Sequence, residues 1–430
     1  MHSFRYRDGS LHCEDANLSE IAETHGSPLY VYSAGTIRDH YRRLTAALGE
    51  LNHHIAYAVK ANSNLSVLRL LAEEGADFDI VSGGELLRVL KAGGKAAGCT
   101  FAGVGKTRPE IELALKEGIY SFNVESEAEL RFIDKIAGES GIKAPCAVRV
   151  NPNVDAKTHK YISTGKSENK FGVDYQLIEA LYARAAAELP NVQLRGLQMH
   201  IGSQLTTVSP FIEAVEQVAP LAAELKDKHG IEFFSIGGGI GIIYEDSLAS
   251  GTGDWWDAQP TGEKPLTVEE YATAIVPALK PLGLKILFEP GRFIVGNAGA
   301  LVSRVLYKKQ GNAKTFAVVD AGMNDLIRPA LYQGHHDIVP VREPAPDAET
   351  EKVDIVGPIC ESGDFFAQDR ELPKLEEGEL IALLSAGAYG FVMASNYNSR
   401  PFPAEVLVDG AEAKVVRKRQ SFDDLIAGEL

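Results

Sequence analysis

The sequence predicts an α/β protein: a (β/α)8 TIM-type barrel followed by a C-terminal, mainly antiparallel β domain that also takes the N-terminal strands. Three observations predict it. From residue 54 short apolar runs alternate with longer helical patterns at the spacing of βα units, eight such runs can be counted, and beyond Arg292 the helical patterns give way to short strands. Eight parallel strands that each feed a helix close most simply into a barrel; an open doubly wound sheet is the other arrangement the same pattern allows. The expected division is residues 1–34 as strands joining the β domain, 35–291 as the barrel and 292–430 as the β domain.

Taken in order, residues 4–13 read as a hairpin about Asp8-Gly9, a dipeptide that tolerates the positive φ angles of a tight turn. Asn17 caps a short helix ending near Gly26, residues 29–32 form a strand, and Ser33 caps a helix through Leu48. The barrel runs are 54–60, 78–81, 100–104, 121–124, 146–150, 196–201, 233–236 and 286–288. Between them Ser82 with Glu85, Thr107 with Glu110 and Ser126 with Glu129 repeat the capping box that satisfies orphan amides at a helix start. Gly75, Gly93 and Gly118 fall where helices end. Two excursions, 151–171 and 244–265, follow the fifth and seventh strands on the side where barrel loops cover an active site. They read as lids or, equally for the second, as surface elaboration. The later strands are expected at 300–307, 315–320, 353–356, 380–384, 404–408 and 413–417, with Ser421 capping a tail helix.

Composition narrows the function. A net charge of −16 argues against nucleic acid or an anionic membrane as the main partner, so anionic ligands have to be met by local cations. The basic start has no apolar run behind it and no stretch approaches a membrane-spanning length, so neither a signal peptide nor a membrane anchor is expected. Cys13, Cys99, Cys146 and Cys360 lie far apart, without the pairing of a zinc site or the density of a disulfide scaffold. No metal is expected, and a reducing cytoplasm fits.

Barrel chemistry sits at the C-terminal ends of strands, and here those ends offer Lys60, Asp79, Arg149, His200, Gly237, Gly238, Gly239 and Glu289. Lys60, beside apolar neighbours, is a candidate Schiff-base amine, because such a lysine gives up its proton more readily than a solvated one. The glycines let backbone approach an anion without interference from a Cβ, and Gly291 and Arg292 add a second close approach and a cation. No Walker lysine and no G-x-G-x-x-G follow the first strand, which disfavours a nucleotide. Pyridoxal phosphate gives each member of this ring a role, with Glu289 holding the pyridine nitrogen protonated so that the ring acts as an electron sink.

The motifs Tyr57-Ala58-Val59-Lys60-Ala61-Asn62, His200-Ile201-Gly202-Ser203-Gln204, Gly237-Gly238-Gly239, Glu289-Pro290-Gly291-Arg292, Asp320-Ala321-Gly322-Met323-Asn324-Asp325, Arg328-Pro329-Ala330-Leu331-Tyr332 and Cys360-Glu361-Ser362-Gly363-Asp364 occur in this order across nearly the whole chain. Together they closely resemble the diaminopimelate decarboxylase family. The resemblance implies an alanine-racemase-like barrel with a C-terminal β domain, a homodimer with shared active sites, and pyridoxal 5'-phosphate as cofactor. It implies that meso-diaminopimelate, a small amino-acid substrate, loses carbon dioxide to give L-lysine, the last step of lysine biosynthesis. By position, Lys60 is the aldimine lysine, His200 stacks on the ring and Glu289 partners the pyridine nitrogen. Ser203, the three glycines, Gly291 and Tyr389 gather around the phosphate. Arg292, Arg328 and Tyr332 bind substrate carboxylates. Cys360 and Glu361 come from the partner subunit, Cys360 as the proton donor and Glu361 as a recogniser of remote polar groups. The nearest rival is a related decarboxylase of arginine, ornithine or carboxynorspermidine; a non-catalytic regulatory relative would be favoured by a missing lysine, and Lys60 is present. Residues 244–265 and Gln333-Gly334-His335-His336 look more individual than the motifs around them.

Overall fold

Eight parallel strands close on themselves: His53–Ala58, Asp77–Ile80, Cys99–Phe101, Ser121–Val124, Ala144–Asn151, Val192–Met199, Phe233–Ser235 and Lys285–Phe288. Each pairs in parallel with the next, and the last returns to the first through Ile286 opposite His53 and Phe288 opposite Ile55. Closure decides against the open sheet. The computed structural model describes residues 2–154, 170–260 and 265–429. Most of the excursion after the fifth strand, residues 155–169, lies outside the described residues.

The barrel strands are buried on both faces, as a parallel sheet wrapped by helices requires, so Phe78, Ile80, Phe101, Phe122 and Phe233 are all fully buried. The expected caps start the helices. Ser82 and Ser126 accept from the amides of Glu85 and Glu129, each at 3.2 Å. The reciprocal reach of these two glutamates goes one residue further back than the box describes, to the amides of Val81 and Glu125 at 2.7 Å. Of the three expected boxes, that of Thr107 alone is reciprocal, Glu110 bonding the Thr107 amide at 3.0 Å.

The chain divides into two units, one of residues 40–241 and 265–293, which holds the barrel, and one of residues 1–39, 242–264 and 294–430. Residues 242–264, inside the span read as barrel, therefore belong to the second unit. There they form a short turn at Ala249–Gly251 and a helix at Gly253–Ala258, with Trp256 Nε1 donating to the Ser250 carbonyl at 2.8 Å.

The second unit is built on a mixed sheet in the order Phe365–Pro373, Thr350–Val356, Thr315–Val319, Gly299–Gln310, Leu29–Ser33, Ala404–Asp409, Glu412–Arg417. Leu380–Leu383 pairs antiparallel with Leu301 to Arg304 of the long central strand, and Ile338–Pro340 pairs antiparallel with Leu380–Leu383. Alternation along Gly299–Gln310 splits the unit's core: Ala300 and Val302 pack in one cluster, Leu301 and Val305 in another. The N-terminal segment supplies a strand as expected, Leu29–Ser33, antiparallel to Gly299–Gln310 and parallel to Ala404–Asp409. The hairpin about Asp8-Gly9 pairs with Ala16–Asn17 in a small sheet that is bridged to the β unit at Ser10 opposite Arg342, with the Leu11 amide donating to the Val341 carbonyl at 2.7 Å. Among the described residues no helix is long and apolar enough to cross a membrane.

Removing one cap tests how these helices are started. Ser126→Ala is expected to cost about 1 kcal/mol, read as a lower urea midpoint, and an unchanged midpoint would show that Glu129 alone holds the helix start.

Candidate active site

The strand ends assemble most of the residues singled out above. Lys60 lies two residues past its strand, in the single turn Val59–Ala61. Its Nζ is 3.0 Å from Oδ2 of Asp79, which is fully buried and also accepts from Thr100 Oγ1 at 3.4 Å. Besides its buried apolar sequence neighbours Val59 and Ala61, the lysine thus has a carboxylate brought alongside by the neighbouring strand. The turn is clamped against the eighth strand's end, where the Ala58 amide donates to the Pro290 carbonyl at 2.9 Å.

Glu289 follows the eighth strand, and three neutral donors converge on its carboxylate. Ser235 Oγ at 2.7 Å and Asn123 Nδ2 at 3.3 Å bond Oε1, and Gln198 Nε2 at 3.0 Å bonds Oε2. Burial pushes this carboxyl up to about 7, with the nearby Asp79 charge acting in the same sense, while Ser235, Lys60 and Gln198 favour the ionised form. The carbonyl oxygens of Asn123 and Gln198 are buried without a hydrogen-bond partner. Both amides are thus turned with their NH2 groups on the carboxylate.

His200 follows the sixth strand. Part of the residue's surface stays open, but packed protein atoms around the ring, and then the charges of Arg149 and Lys60, hold its proton affinity well below the ordinary histidine range. The ring is therefore neutral near pH 7. The Gly238 amide donates to Nδ1 at 3.3 Å, which assigns the remaining proton to Nε2. Arg149 is held by Glu125 at 2.8 Å and lies 4.7 Å over the Phe171 ring, with its Nη2 3.5 Å from the His200 carbonyl.

The three glycines are dictated by packing. A Cβ on Gly237 would fall 2.5 Å from the Met199 carbonyl oxygen, one on Gly238 would collide with the Glu289 carbonyl, and one on Gly239 would fall 2.5 Å from the Gly202 carbonyl. Arg292 Nη2 donates to Ser203 Oγ at 3.0 Å beside this loop, and Gly291 packs on Ala58 and Ala61. Such a set offers an amine, a neutral imidazole, a backbone cradle with a cation, and a buried carboxyl. It fits a ring-bearing phosphate.

The other residues belong to the second unit. Arg328 is buried at the start of the short helix Arg328–Tyr332, which carries Tyr332 at its end. Cys360 and Glu361 are exposed, with the Cys360 amide bonded to Asn398 Oδ1 at 2.8 Å. Tyr389, at φ 55°, lies in the turn after Leu380–Leu383. Asn123, Gln198 and Ser235 escaped the sequence reading, although each is a polar residue of a barrel strand. Among the described residues no group of three or more His, Cys, Asp or Glu is placed to hold a metal.

Glu289 binds its proton more tightly in the folded chain than in the unfolded one. Keeping it ionised therefore costs stability increasingly as pH rises from 4.5 through about 7. In cofactor-free protein, Glu289→Gln is expected to gain thermal stability relative to the parent across that interval; a displacement equal at both ends would show that another group titrates.

Residues 34–296 match the family model described as pyridoxal-dependent decarboxylase, pyridoxal binding domain. Over 430 residues, 100% of this chain and 99% of the relative, the sequence is 51% identical to a diaminopimelate decarboxylase of Pseudomonas aeruginosa. The diaminopimelate decarboxylase of Helicobacter pylori complexed with L-lysine superposes with a TM-score of 0.87 at 43% identity, covering 96% of this chain and 98% of that one. That of M. jannaschii, in co-complex with L-lysine, gives 0.90 at 37% identity, covering 100% and 98%. Pyridoxal phosphate is the cofactor, and the strand-end residues fit it. Fold, strand-end chemistry and full-length identity agree, and the chain belongs to the diaminopimelate decarboxylase family of pyridoxal-dependent enzymes.

Proposed function

We propose that this carboxy-lyase removes the carboxylate at the D centre of meso-2,6-diaminopimelate, giving L-lysine and carbon dioxide in the last step of lysine biosynthesis. The observation that carries this reading is the pairing at the strand ends of Lys60 on Asp79, 3.0 Å apart, with a buried Glu289 held by neutral donors. The full-length identity to a decarboxylase of that name supports the choice of substrate.

Bound pyridoxal phosphate supplies a ring that accepts the electron pair left on carbon when the bond to the carboxylate breaks. Everything else is done by side chains. Lys60 is the amine that would hold the cofactor covalently. Asp79 keeps that lysine in position. Neutral His200 would hold the ring without adding a competing positive charge, and Arg149 steadies the histidine through its carbonyl. Glu289 keeps a proton on the ring nitrogen, where a carboxylate shielded from water by Asn123, Gln198 and Ser235 acts most strongly.

Ser203, Gly237, Gly238, Gly239, Gly291, Arg292 and Tyr389 hold the phosphate. Arg292, Arg328, Tyr332, Tyr389 and Glu361 bind the substrate's polar groups, the arginines because a guanidinium forks onto a carboxylate. Cys360 of the partner subunit would be the proton donor to the carbon that loses carbon dioxide. The working form is a homodimer with shared sites.

Carbon dioxide release by the cofactor-loaded protein is expected with meso-diaminopimelate and not with arginine or ornithine, and Lys60→Ala is expected to abolish it. Release from one of the other amino acids would replace the substrate and leave the mechanism. Mixing inactive Lys60→Ala and Cys360→Ala chains is expected to restore roughly one quarter of parental activity, the statistical yield of one intact site per mixed dimer. No recovery under exchange conditions would refute shared sites.

A further inference from the structure

One part of the chain unused by the reading above is Gln333-Gly334-His335-His336, and it folds back onto Arg328. Gln333, at φ 52°, donates its amide to the Arg328 carbonyl, and the Gly334 amide bonds the same oxygen at 3.3 Å. A Cβ on Gly334 would lie only 3.3 Å from that carbonyl oxygen and 3.4 Å from Arg328 Nη2. This tight return puts fully buried His336 against the guanidinium: Arg328 Nη1 stands 2.7 Å from His336 Nε2.

The other ring nitrogen, Nδ1, is 2.8 Å from the Leu384 carbonyl. A carbonyl only accepts and a guanidinium only donates, so the two bonds together assign a neutral imidazole with its proton on Nδ1. An imidazolium would satisfy Leu384 but would meet Arg328 with a second donor. Arg370 Nη1 fixes the backbone at the same residue, donating to the His336 carbonyl at 3.1 Å.

Tyr244 completes the arrangement. It comes from the segment after the seventh barrel strand, and Arg328 Cζ lies 4.3 Å from its ring centroid. The Tyr244 ring stands edge-on to His336, at 5.3 Å and 83°. An imidazole lone pair and an aromatic face both orient a guanidinium plane without themselves cancelling its charge.

We infer that His336 and Tyr244 are positioning residues that hold Arg328 as the receptor for a substrate carboxylate, and that they set the preference for a carboxylate-bearing ligand over the corresponding plain diamine. This rests on the proposed role of Arg328 in binding substrate. The test compares binding of L-lysine and of cadaverine, which lacks the carboxylate, to the holoenzyme by titrating the cofactor's absorbance. His336→Leu is expected to weaken L-lysine about tenfold while leaving cadaverine within about twofold, and His336→Gln, whose amide oxygen can still accept, to recover most of the loss. Tyr244→Leu carries the same ligand-selective expectation and serves if His336→Leu does not fold. Equal weakening of both ligands, or no loss for L-lysine, would overturn the inference. Arg328→Gln separates the two levels: if it does not weaken L-lysine more than cadaverine, the role of Arg328 is wrong; if it weakens L-lysine selectively and neither His336→Leu nor Tyr244→Leu does, only the positioning role is.

Discussion

Burying an ionisable carboxyl is expensive unless hydrogen bonds replace the water it loses, and this barrel carries that cost at Glu289. Its donors come from separate strands: Asn123 from the fourth, Gln198 from the sixth and Ser235 from the seventh. In an open sheet with the same neighbours, Asn123 would stand four strands from Glu289, about 19 Å away at the usual interstrand spacing. Here the two side chains meet at 3.3 Å. The carboxylate therefore depends on ring closure, and the polar residues around it make sense only inside a closed ring.

That dependence explains what could and could not be read from the chain. The eight barrel strands were legible because apolar runs and capping serines punctuate them. The charged members of the site were legible because they sit at strand ends. Asn123, Gln198 and Ser235 were not, since an uncharged polar residue in a strand carries no mark of facing inward until the barrel is closed. Lys60 was read from its sequence neighbours, whereas its decisive partner, Asp79, arrives from the adjacent strand.

The β unit shows the same limit in its backbone. Phe365–Pro373 was missed: Gln368-Asp369-Arg370-Glu371 at its centre breaks any apolar alternation, yet the segment is a strand because Thr350–Val356 accepts it along most of its length. Two pairings in this mainly antiparallel unit are parallel, Thr315–Val319 with Thr350–Val356 and Leu29–Ser33 with Ala404–Asp409. Parallel partners distant in sequence leave no turn signal between them to read. The segment after the seventh barrel strand reads from the sequence as a lid or a surface elaboration; in the structure its Tyr244 lies against Arg328 within the β unit.

Leu29–Ser33, fully buried along its length, sits between Gly299–Gln310 and Ala404–Asp409. During synthesis this apolar strand leaves the ribosome long before either neighbour exists, and the whole barrel is made while it waits. At about 5–20 residues per second, the delay before residue 404 emerges is tens of seconds. The nascent chain must keep Leu29-Tyr30-Val31-Tyr32 from pairing with another unfinished copy throughout that time, so completion of the β unit is a late, C-terminally triggered event. A chain truncated before Ala404 would leave one edge of that strand without its native partner.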